Sequence, residues 1–267
     1  MYGTLYGIGV GPGDPELLTI KAIRILKEVA HVFAAASSKN DYSLALAIVK
    51  DHLSPETTVD HLAFPMTFHS QSLESAWMAN CERVLDVLRV GKDAAFITLG
   101  DPLTFSTFIY LMRKMRERLP GIMIKSVPGI TSFQAAAACA NLPLAEGEEA
   151  ITILSGAKGG GRLKEAMQVS DNVVLMKTYR HFPEILTQIR EAGLQDNCCF
   201  ISRCGLEGEI VERDFGRMME MKSPHYLSLM VIKRRGLGLL ETTLLPARHS
   251  DRKKMVNRTC PHEVRYL

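Results

Sequence analysis

The chain has 267 residues, of which 46% are hydrophobic and 23% are charged, a composition typical of a globular protein with a substantial core. Its 32 basic and 29 acidic residues leave a net charge of only +3, which argues against a nucleic-acid-binding protein. Six cysteines without a Cys-x-x-Cys pair, no apolar run of about 20 residues and no secretory signal predict a soluble, cytoplasmic protein with free thiols and no membrane partner.

Apolar runs alternate with segments of helical periodicity through the first half of the chain. The pattern predicts strands at residues 5–10, 31–36, 58–64, 94–99 and 122–127, and helices at residues 15–27, 44–52, 74–90 and 105–119. Asp14 followed by Pro15 indicates an N-cap and a proline in the first turn of the first helix. This alternation predicts a parallel five-stranded sheet with helices on both faces.

The pattern changes after Pro128. A helix is predicted over residues 131–140, and strands over residues 150–154, 172–177, 198–203, 209–213 and 226–233. The last three strands leave no room for a full helix between them, so a mixed or antiparallel sheet is expected. We therefore predict two α/β domains, over residues 1–128 and 129–236, with the active site in the cleft between them. Periodicity fades afterwards, which predicts a mobile basic tail over residues 237–267.

A glycine-rich turn follows the first strand, where residues 7–15 read Gly-Ile-Gly-Val-Gly-Pro-Gly-Asp-Pro. A dinucleotide-binding fingerprint requires glycines at relative positions 1, 3 and 6, and here the sixth place is never a glycine, whichever glycine the count starts from. No acidic residue ends the second strand to hold a ribose. Both features argue against an NAD enzyme and against the common nucleotide-fold methyltransferase.

Two further motifs follow predicted strands. Residues 99–102 read Leu-Gly-Asp-Pro, and residues 126–132 read Ser-Val-Pro-Gly-Ile-Thr-Ser. Either motif alone fits an ordinary turn or helix N-cap. In open α/β sheets, however, ligands bind beyond the carboxyl ends of the strands, so their positions favour a ligand site.

Taken together and in order, the three motifs resemble those of the tetrapyrrole methylase family, and the resemblance extends from residue 1 to about residue 235. Residues 64–67 (Phe-Pro-Met-Thr), the helix containing Trp77, and residues 100–107 resemble the branch that methylates C20 of precorrin-2 or its cobalt complex. The resemblance implies two α/β domains, S-adenosylmethionine bound between them as methyl donor, a tetrapyrrole substrate, and a homodimer.

The resemblance also implies which residues bind the cofactor, and it assigns no catalytic side chain. These cofactor-binding candidates are Pro12, Gly100, Asp101, Pro102, Thr104, Thr131, Ser132, Met176, Cys204, Ser228 and Leu229. The substrate's carboxylates require cationic partners, and four candidates lie at predicted strand ends of the second domain. They are Lys177, Arg180, His181 and Arg203, each with solvated surface charge as the alternative interpretation.

The sequence also contains features that suggest a phosphate-binding loop or a metal site. Residues 156–163 nearly fit a phosphate-binding loop, but Arg162 and Leu163 replace the required Lys and Ser/Thr, so a mobile loop at the cleft rim is predicted instead. The spacing of histidines and cysteines predicts no metal site. Three alternatives stay open: a family member acting on another tetrapyrrole carbon, one acting on a protein side chain, and a non-catalytic nucleotide- or tetrapyrrole-binding module.

Overall fold

The computed structural model describes residues 1–37, 43–64 and 70–237. The first half of the chain forms a five-stranded sheet in which every strand pair is parallel, as the sequence predicts. The strand order, which the sequence does not predict, is β3-β2-β4-β1-β5. Its strands are β1 (Leu5–Gly9), β2 (His31–Ser37), β3 (Thr58–Phe64), β4 (Ala94–Thr98) and β5 (Ile124–Val127).

Helices cover both faces of this sheet. One face packs against α1 and α2 through residues such as Ile8 and Ile25, and the other packs against α3 and α4 through Phe33, Phe96 and Phe108. Burial of these apolar side chains is the main stabilising contribution to this half of the protein. The helices are α1 (Ile20–Glu28), α2 (Leu44–Val49), α3 (Ser70–Arg89) and α4 (Phe108–Arg118).

The first helix begins later than the sequence pattern predicts. Asp14 caps only a short 3-10 helix (Pro15–Leu17), because its carboxylate accepts the Glu16 N–H. The chain then becomes extended at Leu18, and the Thr19 hydroxyl accepts the Ala22 N–H to cap α1. Thr19, four positions after Pro15, is therefore the N-cap of α1, and the apolar periodicity alone does not reveal it.

The second sheet is mixed, as predicted, with the order β6-β7-β10-β8-β9. Only the β6–β7 pair is parallel. A six-residue helix lies between β9 and β10, where a full helix was not expected, and the Asp214 carboxylate caps it by accepting the Arg217 N–H. The elements are α5 (Ser132–Cys139), β6 (Ile151–Ser155), α6 (Leu163–Val169), β7 (Asn172–Met176), α7 (Phe182–Glu191), β8 (Cys198–Ser202), β9 (Ile210–Glu212), α8 (Phe215–Glu220) and β10 (Ser228–Lys233).

Helix α5 packs on the second sheet, where Ala136 and Ala140 contact a cluster that includes Val174 and Ile201. A domain boundary near residue 128, which remains a prediction, would fall just before this helix. Leu237, the first residue of the predicted tail, is buried in the same cluster, and residues 238–267 lie outside the described part of the chain. Among the described helices, none combines the length and apolarity that crossing a bilayer requires.

Candidate functional site

The three sequence motifs meet at the carboxyl edge of the first sheet. They follow β1, β4 and β5, which are neighbours in that sheet. A Cβ atom built on Gly9 would lie 2.4 Å from the Gly100 carbonyl oxygen, and one on Gly129 would lie 2.2 Å from the same oxygen. Only residues without a side chain allow the three backbones to approach this closely. The loops therefore form one packed unit rather than three separate turns.

Backbone hydrogen bonds join two of these loops directly. Gly11 N–H donates to the Gly100 carbonyl at 3.3 Å, and Gly100 N–H donates to the Gly11 carbonyl at 2.8 Å. Both glycines have positive φ, +77° and +67°, in the left-handed region that other residues rarely adopt. The reciprocal pair fixes the first loop against the second.

The Asp101 carboxylate fixes the second loop against the third. Its Oδ1 accepts the Leu103 N–H at 2.9 Å and the Thr104 hydroxyl at 3.3 Å, and its Oδ2 accepts the Gly129 N–H at 3.2 Å. Hydrogen bonds to a charged acceptor are stronger than those between neutral groups. Since three donors already occupy this carboxylate, its structural role is to position the loops.

These loops form one wall of a cavity of about 460 Å³ between the two sheets. The opposite wall comes from the ends of β7, β8 and β10. Ten of the eleven predicted cofactor-binding residues line this cavity, which we call the first cavity. The eleventh, Pro102, is buried and is not among the lining residues. The predicted residues that line it are Pro12, Gly100, Asp101, Thr104, Thr131, Ser132, Met176, Cys204, Ser228 and Leu229.

The amino end of α5 reaches the first cavity. Thr131 forms a capping box with Gln134, and Ser132 is the first residue of the helix. Free N–H groups and the helix dipole make such an end favourable for a negatively charged group. On the opposite wall, the Ser228 hydroxyl lies 3.0 Å from the Thr178 hydroxyl, which holds the end of β10 against the chain after β7.

A second cavity, of about 670 Å³, adjoins the first. The two cavities share four lining residues, which are Thr98, Leu99, Tyr226 and Leu227. The residues that line only the second cavity come from the ends of β2 and β4, the start of α2, and the chain after β8 and before β10. They are Ala35, Ser43, Leu44, Ala45, Ile97, Arg203, Leu206, Glu207 and His225.

Arg203 and His225 line the second cavity, where Arg203 contributes a guanidinium group and His225 an imidazole ring. Arg203 Nε is buried and has no hydrogen-bond partner among the described residues. His225 Nδ1 accepts the Leu227 N–H at 3.2 Å, so the neutral ring carries its proton on Nε2. Burial, together with the nearby Arg203 charge, lowers the pKa of His225 below its ordinary value. Arg203 and His225 thus bring N–H donor groups to the residues that line the second cavity.

The other predicted substrate-binding residues are placed differently. Lys177 lines the first cavity, with φ +59° and its Nζ 6.0 Å from the centre of the Phe105 ring. Arg180 lies over the Tyr179 ring, and His181 Nδ1 lies 3.7 Å from a Glu184 carboxylate oxygen. Arg180 and His181 line neither cavity.

The structure also places the glycine loop over residues 156–163 and Trp77. The glycine loop over residues 156–163 lines neither cavity, and its Gly160 packs towards Ile185 and Gln188 of α7. Trp77 packs against Phe64 and Tyr110, so within the described residues it is part of an aromatic cluster. Residues 65–67 of the Phe-Pro-Met-Thr segment lie outside the described residues.

Several lining residues were not singled out from the sequence. Thr98 and Ser106 are joined by a hydrogen bond of 3.1 Å across the second loop. The end of β4 and residues 105–107 were accessible to sequence reasoning, because they flank a motif at a strand end. His225 and Tyr226 carry no such signal, since an isolated aromatic pair before a strand is ordinary.

The family model of the tetrapyrrole (corrin/porphyrin) methylases matches residues 4–217. The chain therefore belongs to the tetrapyrrole methylases.

Two relatives within the family match this chain over nearly their whole length. The chain is 34% identical over 234 residues to the cobalt-precorrin-2 C(20)-methyltransferase of Salmonella typhimurium, covering 88% of this chain and 98% of that one. It is 35% identical over 235 residues to the probable cobalt-precorrin-2 C(20)-methyltransferase of Methanocaldococcus jannaschii, covering 86% and 96%.

A solved structure shows the same fold. Uroporphyrin-III C-methyltransferase from Thermus thermophilus, complexed with S-adenosylhomocysteine, has a TM-score of 0.60 and 22% identity. The match covers 86% of this chain and 92% of that one.

Proposed function

We propose that this protein transfers a methyl group from S-adenosylmethionine to C20 of precorrin-2 or cobalt-precorrin-2 in cobalamin biosynthesis. The names of the two relatives support this substrate and this carbon. The observation that carries the proposal is the pair of adjoining cavities with four lining residues in common. Such a pair allows a donor in one cavity and an acceptor in the other to meet across the shared residues.

The first cavity suits the methyl donor. Its volume of about 460 Å³ lies within the range of small-molecule sites. The amino end of α5 offers N–H donors to the carboxylate of the methionine part, and Met176 and Leu229 offer apolar contact to the adenine. The likeness to a structure complexed with S-adenosylhomocysteine supports a binding site of this kind in the fold.

The second cavity suits the tetrapyrrole. Arg203 offers a planar set of donors that pairs well with a carboxylate. His225 Nε2 adds a further donor, and apolar residues of β2 and α2 offer a surface for the ring.

Catalysis on this proposal rests on positioning. The sulfonium of the donor activates the methyl group. C20 forms a bond to the methyl carbon as the bond from sulfur to methyl breaks, S-adenosylhomocysteine leaves, and the methylated ring releases one proton to solvent. Holding C20, the methyl carbon and the sulfur in line can lower the activation free energy by up to about 7–11 kcal/mol, as in comparable intramolecular reactions. The packed loops and the Asp101 hydrogen bonds provide the rigidity that such alignment requires.

The decisive experiment is anaerobic incubation of the protein with methyl-labelled S-adenosylmethionine and either metal-free or cobalt-loaded precorrin-2. We expect one new methyl group, assigned to C20 by NMR, and an equal amount of S-adenosylhomocysteine. A methyl group on another carbon would assign the chain to a different branch of the family. Cofactor binding without transfer to either tetrapyrrole would overturn the proposal, and labelling of a protein instead would indicate a protein methylase.

Replacing Arg203 with lysine tests the acceptor site. We expect the KM for the tetrapyrrole to rise about tenfold, because lysine keeps the charge but loses the paired hydrogen bonds. The Kd for S-adenosylhomocysteine should stay unchanged, since Arg203 lines only the second cavity. Steady-state kinetics and calorimetry measure the two quantities. Arg180→Lys is the comparison, and an equal rise in KM there, or none in Arg203→Lys, would contradict this assignment.

The proposal includes the oligomeric state of the enzyme and its location in the cell. The family resemblance supports a homodimer, and the role in cobalamin biosynthesis supports a cytoplasmic location. Light scattering after size-exclusion chromatography of the full chain tests the first point, with a mass of about twice 29.6 kDa expected. A single-chain mass at micromolar concentration would contradict it.

A further inference from the structure

Two thiols and a carboxylate converge beside the first cavity. The Sγ atoms of Cys139 and Cys204 and a carboxylate oxygen of Glu209 all lie within 4.8 Å of one another. Cys139 is the last residue of α5, Cys204 follows β8, and Glu209 precedes β9. Sequence spacing could not reveal this group, because Cys139 comes from α5 and the other two members come from the distant β8–β9 turn.

The turn between β8 and β9 holds the second and third members in place. Gly205 N–H donates to Glu209 Oε2 at 2.7 Å, and Glu209 N–H donates to the Leu206 carbonyl at 3.1 Å. Gly205 has φ +74°, so the chain reverses sharply between Cys204 and Glu209. These contacts hold the carboxylate next to the two thiols.

We propose that Cys139, Cys204 and Glu209 form a binding site for one thiophilic divalent cation, of which Zn²⁺ is the expected occupant. Zinc binds sulfur at about 2.3 Å and carboxylate oxygen at about 2.0–2.2 Å, so ligands of a tetrahedral site lie roughly 3.5–3.8 Å apart. The ligand atoms lie within 4.8 Å of one another, so a contraction of up to about 1 Å brings them to these values. Three protein ligands leave the fourth position for water or another small ligand.

Charge and chemistry favour a cation over a disulfide. Glu209 provides a full negative charge, and Asp14 adds a further negative charge close to Cys204. Two thiols and a carboxylate are ligand types that zinc binds in proteins.

An occupied site would connect two walls of the first cavity. Cys204 lines that cavity itself. Cys139 ends the helix whose N-cap, Thr131, and first residue, Ser132, line it as well. A metal ion bound only by the folded protein stabilises that state by mass action. We therefore expect saturating Zn²⁺ to raise the melting temperature by at least about 3 °C.

The test uses the full chain, free of any affinity tag and stripped of metal, in the absence of cofactor and tetrapyrrole. Co²⁺ is the spectroscopic probe and Zn²⁺ the competitor. We expect one equivalent of Co²⁺ to bind with a sulfur-to-cobalt charge-transfer band in the near ultraviolet, and Zn²⁺ to displace it. Cys139→Ser and Glu209→Gln should each weaken binding by at least about tenfold, a typical effect of losing a metal ligand contact.

Two design features keep the outcome decisive. Glu209→Gln retains an oxygen that can accept the Gly205 N–H, so it removes charge with little effect on the turn. Cys198→Ser is the matched control, because Cys198 lies outside the group and serine can donate to the same Gln195 carbonyl. The absence of a thiolate band, or equal loss of binding in Cys198→Ser, would overturn the metal site. The measurement involves no methyl transfer, so its failure leaves the proposed function untouched.

Discussion

Replacing Gly129 with alanine is expected to abolish measurable cofactor binding and to lower the free energy of unfolding by about 2–4 kcal/mol. The added Cβ would lie 2.2 Å from the Gly100 carbonyl oxygen and 2.6 Å from the Gly9 carbonyl carbon. Both contacts are with backbone, which cannot rotate away as a side chain does. The loops after β1, β4 and β5 would have to separate, and they form a wall of the first cavity.

Urea unfolding measures the loss of stability, and calorimetry with S-adenosylhomocysteine measures cofactor binding. Gly161→Ala is the matched control, because a Cβ at that position meets no heavy atom within 4 Å. Its free energy of unfolding should change by less than about 0.5 kcal/mol, and its affinity should not change. A Gly129→Ala protein with normal affinity would show that the close approach of the three loops is not required.

Replacing Asp101 with alanine is expected to raise the Kd for S-adenosylhomocysteine by about 10–100-fold. The change removes an acceptor from the Leu103 and Gly129 N–H groups and from the Thr104 hydroxyl. A hydrogen bond to a charged group contributes about 1.5–3 kcal/mol, and losing the link to Gly129 lets the second and third loops move apart. Calorimetry on the full chain measures the change in affinity.

Asp93→Ala separates this local effect from general destabilisation. The Asp93 Oδ1 also accepts a backbone N–H, that of Thr4, at 2.6 Å, but at the amino end of β4. We expect Asp93→Ala to reduce stability and leave cofactor affinity unchanged. Equal loss of affinity in both variants would contradict the role assigned to the Asp101 carboxylate.

The strands are predicted well because periodicity reflects burial directly. Strand β3 (Thr58–Phe64) has the predicted bounds, and the remaining strands differ by one or two residues at one or both ends, whereas helices α6 and α7 have no predicted counterpart. The predicted start of helix α1 is five residues too early, because apolar residues at helical spacing also occur in the 3-10 turn and at Leu18. Capping decides that boundary, and the Thr19 cap is visible only once the backbone is known.

The site was predictable where it consists of loops in fixed relation to strands. Gly100, Asp101 and Thr131 could be placed because parallel strands bring their carboxyl ends to one edge. Arg203 was predicted from its charge at a strand end, whereas the orientation of His225 depends on a hydrogen bond to Leu227 that no pattern encodes. The group formed by Cys139, Cys204 and Glu209 required the packing of α5 against the β8–β9 turn.

The partition between the two cavities has an evolutionary consequence. Thr98, Leu99, Tyr226 and Leu227 border both chambers, whereas Arg203 and His225 border only the second. If the donor and the tetrapyrrole bind as proposed, mutation of the second group would reorient the macrocycle and expose a new carbon while leaving donor recognition intact. Regiochemistry and donor recognition would then be separable traits, which is what a lineage needs in order to diversify its products from one ancestral scaffold.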